Sequence, residues 1–359
     1  MRLLVFEFIT GGGQLGETLP ESLRREGEMM RDALLADLAE QSEIDVVVMR
    51  DPRWSVSRQH GAATWCAPRS AENTMSFYRR ALENVDVVWL IAPETSGTLA
   101  RLAEMARAAG KQVLLSDAAT LAVCGSKYAT YCTLKDAGID AIETFRDANV
   151  LPTSGGPWIV KPDDGAGSVG IALEVNIHAA RQALCGERQW PEVALGGPMA
   201  LGHPGPAPQA PTPYPRVMQP WCEGDALSLS LLCSNGQAAL LSVNRQHVFL
   251  QHGRVIVDAL TVNALPHNSI EFVALGRLIA AALPGLWGYA GVDLIRTNDG
   301  VLRVLEINPR LTTSYCGLRK ALGINVADLV LKLFNDRELP NMFCDRDEAV
   351  ELNLGMGYA

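Results

Sequence analysis

The chain is predicted to fold as an α/β domain followed by an α+β domain. At 359 residues it is too long for one ordinary core and calls for roughly two or three packed units. Up to about residue 118 apolar strands alternate with helical stretches, which makes a parallel sheet covered on both faces. From Trp158 onward strands follow one another as hairpins, which makes an antiparallel one.

The elements follow in order. Met1 begins MRLLVFEFITGGG, a strand over Leu3 to Phe8 that runs into a glycine turn. Leu23 to Glu40 reads as an amphipathic helix and Asp45 to Met49 as a strand. Val85 to Ala92 is the next strand, followed by a helix from Leu99 to Ala109 and a strand from Gln112 to Leu115. Gly110 stops that helix because it takes the left-handed cap conformation without a Cβ penalty. These elements place an α/β domain over residues 1–118 and a second domain over 119–359, with a lid subdomain at about 155–222. Within the lid, about 191–215, lies a stretch rich in Pro, Gly and Ala that holds neither helix nor ladder and reads as a surface loop or insertion.

Composition narrows the function. The formal net charge is −9 and no run of Lys and Arg lines a groove, which argues against a nucleic-acid partner. The apolar stretches Val85 to Ala92 and Leu278 to Leu283 are far shorter than a membrane span, and the N-terminus lacks the cleavage site of a secretory signal. Cys124, Cys132 and Cys233 sit in apolar runs without a CxxC pair, as reduced thiols of a cytoplasmic protein do. Small-molecule partners are expected, and a homo-oligomer is left open.

The first chemical motif is GAGSVG, with Gly165, Gly167, Ser168 and Gly170. It matches the dinucleotide fingerprint formally, but that fingerprint needs a helix after the glycines. Here Ile171 to Val175 reads as a strand, so the loop joins two strands of a hairpin. Such a loop offers backbone N–H groups to a polyphosphate as a lid, mobile when empty and ordered when filled, although an ordinary glycine-rich turn looks the same. Lys161, four residues upstream on the strand WIVKP, favours the lid.

The second motif is GVDLIRTNDGVLRVLEINPR. If Asp299-Gly300 forms a two-residue hairpin turn, Asp293 faces Glu306. Asn308, two residues on, then points to the same side. Facing carboxylates repel unless a cation lies between them, and two carboxylates with an amide oxygen suit a hard ion such as Mg2+. The third is CGSKYATYCTLKDAG, where Ser126 caps a helix from Lys127 to Ala137 that Gly138 ends. A lysine in the first turn opposes the helix dipole unless an anion is near, and a solvated surface lysine remains the alternative. In the fourth, VMQPWCEGDALSLSLL, Gln219 ends a strand, Pro220 interrupts the ladder, and Glu223 to Asp225 turn the chain. A broken edge can pair with a planar base, though a polar hairpin turn explains the segment equally.

These four segments together resemble the ATP-grasp superfamily across roughly residues 119 to 335, with residues 1–118 similar to the domain that precedes it in that family. FEFITGGG, WLIAPET, CGSKYATY and EINPRLTTSY resemble more narrowly the branch containing tyramine–glutamate ligase of methanofuran biosynthesis. The Pro-rich stretch departs from the pattern. The resemblance implies an enzyme that takes ATP and Mg2+. Lys127, Lys161 and the loop from Asp164 to Gly170 would hold the phosphates. Gln219, Pro220, Trp221 and Cys222 would hold adenine, and Glu223 or Asp225 the ribose. Asp293, Glu306 and Asn308 would bind metal, and Arg310, with Arg245 as a second candidate, would neutralise the transferring phosphoryl group. The reaction would run through an acyl phosphate to an amide, with glutamate and an aromatic amine as substrates. Thr312, Ser314 and Tyr315 would face those substrates, unless they only start the next helix, and backbone N–H groups of Thr10 to Gly13 would face them from the other domain. Two rivals are a protein that binds ATP without turning it over, disfavoured by the full set of Asp293, Glu306, Asn308 and Arg310, and an NAD-dependent oxidoreductase, disfavoured by the strand after the loop.

Overall fold

The computed structural model describes residues 1–54, 63–69, 72–150, 152, 155–164, 170–186, 215–251, 254–340 and 344–355. The first domain is a parallel sheet of β1 (Arg2–Glu7), β2 (Asp45–Met49), β3 (Thr64–Cys66), β4 (Val87–Ile91) and β5 (Gln112–Val113), in the order β3-β2-β1-β4-β5. Helix α1 (Glu21–Leu38) covers one face, and α2 (Thr74–Leu82) and α3 (Thr98–Ala108) cover the other. Apolar residues on successive positions of β1 and β4 are buried on both sides, as a doubly covered parallel strand requires. Gly110 takes φ +73°, the left-handed cap expected after α3.

Two short helices follow, α4 (Ala118–Cys124) and α5 (Lys127–Asp136). Ser126 caps α5 by accepting from Ala129 N–H, and Gly138 at φ +72° follows its end. A small antiparallel sheet of β6 (Trp158–Pro162), β7 (Ala172–Glu174) and β8 (Arg216–Pro220) comes next, backed by α6 (Ile177–Leu184). The glycine segment therefore lies between two antiparallel strands, β6 and β7. Most of the Pro-rich stretch lies outside the described residues.

The large antiparallel sheet contains β9 (Gly224–Ser234), β10 (Gln237–Gln251), β11 (Arg254–Leu265), β12 (Gly288–Thr297), β13 (Leu302–Asn308) and β14 (Val350–Asn353), ordered β13-β12-β9-β10-β11-β14. Helix α7 (Ile270–Ala282) covers one face. On the other face lie α8 (Tyr315–Leu322) and α9 (Val326–Asp336). Their apolar sides, with Leu318, Ala321, Val330 and Leu333, share one core with Leu3, Val5, Leu34 and Leu38 of the first domain and with Leu232, Val262 and Tyr289 of the large sheet. A core that crosses the boundary near residue 118 fixes the relative position of the two halves, since separating them exposes side chains that each contribute about 1.5–3 kcal/mol by burial.

One polar contact is set in that shared core. The Tyr315 hydroxyl donates to Asp37 Oδ2 at 2.6 Å, and Arg319 holds the other oxygen at 3.0 Å. Tyr315 is buried and its ring stands edge-on to Tyr289, so its faces are covered. Tyr315, expected to face the substrates or to start the next helix, starts α8 and fastens one domain to the other. Burial pushes the Asp37 carboxyl upward, and the Tyr315 hydroxyl and Arg319 counter it. Tyr315→Phe removes one partner of a buried carboxylate and should lower stability by about 1–3 kcal/mol in urea unfolding, with turnover changed less than about threefold. A large loss of turnover at unchanged stability would return Tyr315 to the substrate site.

Candidate active site

The site is assembled where the edge strand β13 meets the start of α5 and the end of β6. Segment 139–145 ties both sheets together: Ile142 N–H donates to Val304 O and Phe145 N–H to Met218 O, both at 2.9 Å. Backbone bonds on either side of this segment thus connect the small sheet to the edge of the large one.

Asp293 and Glu306 are cross-strand partners, and Gly291 pairs with Asn308. The tip of the hairpin differs from expectation. Thr297 N–H bonds Val301 O across a three-residue turn, with Gly300 at φ +86°, so Leu294 pairs with Val304 and Ile295 with Arg303. Leu305 is then an extra residue, a bulge that restores the Asp293–Glu306 pairing. Two one-residue departures cancel at the carboxylates. Asn308 Nδ2 donates to Asp293 Oδ2 at 3.1 Å, and Gln246 Nε2, reaching from β10, donates to Asp293 Oδ1 at 2.8 Å.

Both lysines face these carboxylates. Lys127 Nζ lies 3.2 Å from Glu306 Oε2, and Lys127 and Lys161 are both buried. The anion that a first-turn lysine needs is thus Glu306. A second anion, Asp163, occupies the N-terminus of α5, where it accepts from Tyr128 N–H and Ser126 Oγ and pairs with Arg146. Lys127 N–H bonds Asp163 O as well, so the residue two beyond Lys161 docks directly on the helix that carries Lys127.

The electrostatics follow from burial and charge. Burial and the nearby Lys127 push the Lys161 amine down to about 8, against the pull of Glu306 and Asp293. Asp293 is raised by burial and then by Glu306, whereas at Glu306 the two lysines outweigh the burial that opposes ionisation. Of the two facing carboxyls, Asp293 is the one pushed up, to about 7, and so it takes up a proton more readily than Glu306 does. Among the described residues no three His, Cys, Asp or Glu side chains form a metal cage, so the donor set suits an ion that completes its shell with phosphate oxygens and water.

Arg310 lies just beyond Asn308, and its guanidinium is held side-on by Glu94: Nε to Oε1 at 2.9 Å and Nη2 to Oε2 at 2.8 Å. Glu94 comes from the loop after β4 in the first domain.

Other expected residues are placed differently. Gly165, Gly167 and Ser168 lie outside the described residues, and Gly170 at φ +70° leads into β7. Pro220 stays in the ladder opposite Trp158, and Trp221 N–H bonds Pro157 O, so the strand edge is not broken at the proline. The Gln219 side chain is buried and donates to Thr144 Oγ1 at 2.9 Å. Cys222 is half-buried and burial raises its thiol. Asp225 is gripped by Arg245 and Arg296, each at 2.6 Å, which leaves Glu223 as the uncommitted carboxylate of that turn among the two proposed for ribose. Leu227 pairs with both Arg245 and Leu294, while Ser228 pairs with Asp293, so Arg245 projects from the sheet face opposite the metal residues. An open recess of about 770 Å³ there, lined by Glu223, Asp225 and Arg296 among others, contains none of the lysine–carboxylate pairing.

Thr312 and Ser314 join Ser230 and Tyr289 in a hydroxyl network at 3.0–3.2 Å beside the β12–β13 pair: Thr312 packs on Gly291, where a Cβ would come within 2.6 Å. Thr10 N–H bonds Glu7, and the N–H groups of Gly11 and Gly13 bond Glu7 O and Phe8 O, so these donors are spent within the turn. Asp163, Glu94 and Gln246 were not singled out from sequence. The first stands near Lys161 in KPDD, the third follows Arg245, and Glu94 lies in WLIAPET, a segment that carried the narrower resemblance without a role for this residue.

A family model for the ATP-grasp domain matches residues 191–314, and a model for the pre ATP-grasp 3 domain matches residues 44–121. The chain thus consists of a pre-ATP-grasp domain followed by an ATP-grasp domain, and it is an enzyme of the ATP-grasp ligase family. It is similar to a tyramine–L-glutamate ligase from Methanocaldococcus jannaschii, with 23% identity over 94% of this chain and 90% of the relative. Among solved structures it is similar to an ATP-grasp superfamily protein from Archaeoglobus fulgidus, at TM-score 0.67 and 22% identity over 98% of this chain and 92% of the other. It is also similar to the biotin carboxylase domain of the Hydrogenobacter thermophilus 2-oxoglutarate carboxylase, solved with MgADP and bicarbonate, at TM-score 0.66 and 12% identity over 97% and 71%.

The Lys161 amine should titrate with a midpoint near pH 8 in the ligand-free enzyme, read from the side-chain carbon signal of labelled lysine and assigned by its loss in Lys161→Arg. Mg-ADP should move the midpoint upward, because phosphate favours the charged amine. A midpoint near the ordinary lysine value would contradict the buried, lysine-paired environment.

Proposed function

We propose that the cleft binds Mg-ATP and that the enzyme joins glutamate to an aromatic amine, tyramine, tyrosine or a close relative, to build a methanofuran-type one-carbon carrier. The observation that carries the nucleotide site is the gathering of Lys127, Lys161, Asp293, Glu306, Asn308 and Arg310 at one cleft from four separate segments. The glutamate and amine reading is supported by the similarity to the tyramine–L-glutamate ligase across nearly the whole of both chains.

Lys127 and Lys161 would meet the α- and β-phosphates, which explains why two lysines are buried close together. Asp293, Glu306 and Asn308 would hold Mg2+, whose charge lowers the repulsion between the phosphates and an incoming carboxylate. A substrate carboxylate oxygen attacks the γ-phosphorus, the bond to the bridging oxygen of ADP breaks, and an acyl phosphate forms. The amine nitrogen then attacks the acyl carbon, loses a proton, and phosphate leaves. Arg310 would stabilise the negative charge on the moving phosphoryl group. Positioning and charge neutralisation supply most of the acceleration, so no protein nucleophile is needed.

Lys161→Ala and Glu306→Ala should each lower ADP release by more than about a hundredfold while the fold persists by circular dichroism. Near-normal release in either variant would remove the nucleotide assignment. The substrates are tested by supplying ATP and glutamate with tyramine, tyrosine or aliphatic amines and detecting the coupled amide by mass spectrometry. If glutamate is inert with every aromatic amine while another carboxylate drives ADP release, the substrate reading fails and the ligase assignment stands.

A further inference from the structure

We propose that Glu94 of the pre-ATP-grasp domain is a positioning residue that aims Arg310 at the phosphoryl group in transfer, so that this part of the site is complete only while the first domain is docked. The inference rests on the role given to Arg310 above.

The geometry distinguishes aiming from blocking. A guanidinium has five N–H donors in a rigid plane. Glu94 takes the Nε edge and one Nη2 hydrogen, and Leu311 O accepts from Nη1 at 3.2 Å, which leaves two N–H groups uncommitted. A bidentate carboxylate sets the plane of the guanidinium as well as its position, which a single hydrogen bond does not. Both side chains are nearly sealed, at 12% and 9% exposure, so water competes poorly with the pair. Glu94 therefore holds one edge of Arg310 and leaves part of it available.

The loop that carries Glu94 is built for contact with the second domain. Ser96 and Gly97 both take left-handed conformations, φ +55° and +66°. For a serine that conformation costs about 1–2 kcal/mol and persists where its surroundings hold it. What holds it is a hydrogen bond from Ser96 N–H to Asp164 Oδ2 at 2.8 Å. Asp164 follows Asp163, the residue anchored on the N-terminus of α5. One short loop thus grips Arg310 on one side and the end of the Lys161 segment on the other. An ordinary interdomain ion pair would not need a strained neighbour reaching a second part of the same site. Burial alone would disfavour the Arg310 charge, and the carboxylates of Glu94, Glu26 and Glu306 overcome it.

The test is a cycle of Glu94→Ala, Arg310→Ala and the double variant. ADP release is followed with glutamate and tyramine, and in parallel as basal ATP hydrolysis without them, so that an inert substrate pair does not silence the assay. Glu94→Ala should lower kcat about 10- to 100-fold with the KM for ATP within threefold. The double variant should match Arg310→Ala within threefold, because a positioning residue has nothing left to position. Glu94→Asp, which keeps the charge, should recover part of the lost kcat. Independent losses that multiply in the double variant would overturn the proposal, as would unchanged kcat in Glu94→Ala or a raised KM for the amine alone. If Arg310→Ala leaves kcat near wild type, the role given to Arg310 is wrong and the inference falls with it; if only Glu94→Ala does so, that role stands. Should Arg310→Ala fall below detection, the kcat against KM split and the Glu94→Asp recovery decide.

Discussion

Glu306 is the charge around which the active cleft is arranged. It accepts Lys127, faces Lys161, and stands across the strand pair from Asp293. Any one of these groups alone would be costly to bury, since an unpaired ion away from water either loses its charge or destabilises the fold. Two lysines against two carboxylates are tolerable because the charges offset, and burial still shows at both signs of charge: it lowers the Lys161 amine and raises the Asp293 carboxyl.

That arrangement depends on three scaffolds meeting in one place. The β12–β13 hairpin supplies the carboxylates, α5 supplies Lys127, and β6 supplies Lys161. Asp163 joins the last two, because its carboxylate and carbonyl both engage the N-terminus of α5. The positive end of the helix holds Asp163, while Lys127, which that end disfavours, is held by Glu306. Segment 139–145 joins the small sheet to the edge of the large one through backbone bonds.

The stretch after the metal strand does more structural work than its composition suggests. Arg310 reaches Glu94, Thr313 donates to Glu26, and Tyr315 reaches Asp37, so three of six consecutive residues cross to the first domain. Thr312 and Ser314, between them, turn inward to the hydroxyl network under Gly291. The segment that follows Asn308 is thereby fastened to the first domain. The shared apolar core beneath, from Leu318 and Val330 to Leu34 and Leu38, keeps that fastening in register.

Much of this was legible in the residues. Alternating apolar runs and glycine stops identified the parallel sheet, Ser126 and Gly138 bounded α5, and the strand after the glycine segment excluded a dinucleotide fold. Those signals are local, because a cap or a strand period acts within a few residues. The Asp293–Glu306 pairing was also legible, although the three-residue turn and the bulge at Leu305 show that the count reached it through two shifts of opposite sense. Arg245, Gln219 and Tyr315 were read for their chemical type, and tertiary contact placed Arg245 against Asp225, Gln219 against Thr144 and Tyr315 against Asp37. A face of the sheet, a partner such as Thr144, or a carboxylate nearly 280 residues away leaves no mark on neighbouring sequence. The sequence by itself determined which side chains carry charge and which strands are adjacent in the hairpins. Only the tertiary structure decided which charges meet, because opposite charges find one another through the packing of whole domains and not through spacing along the chain.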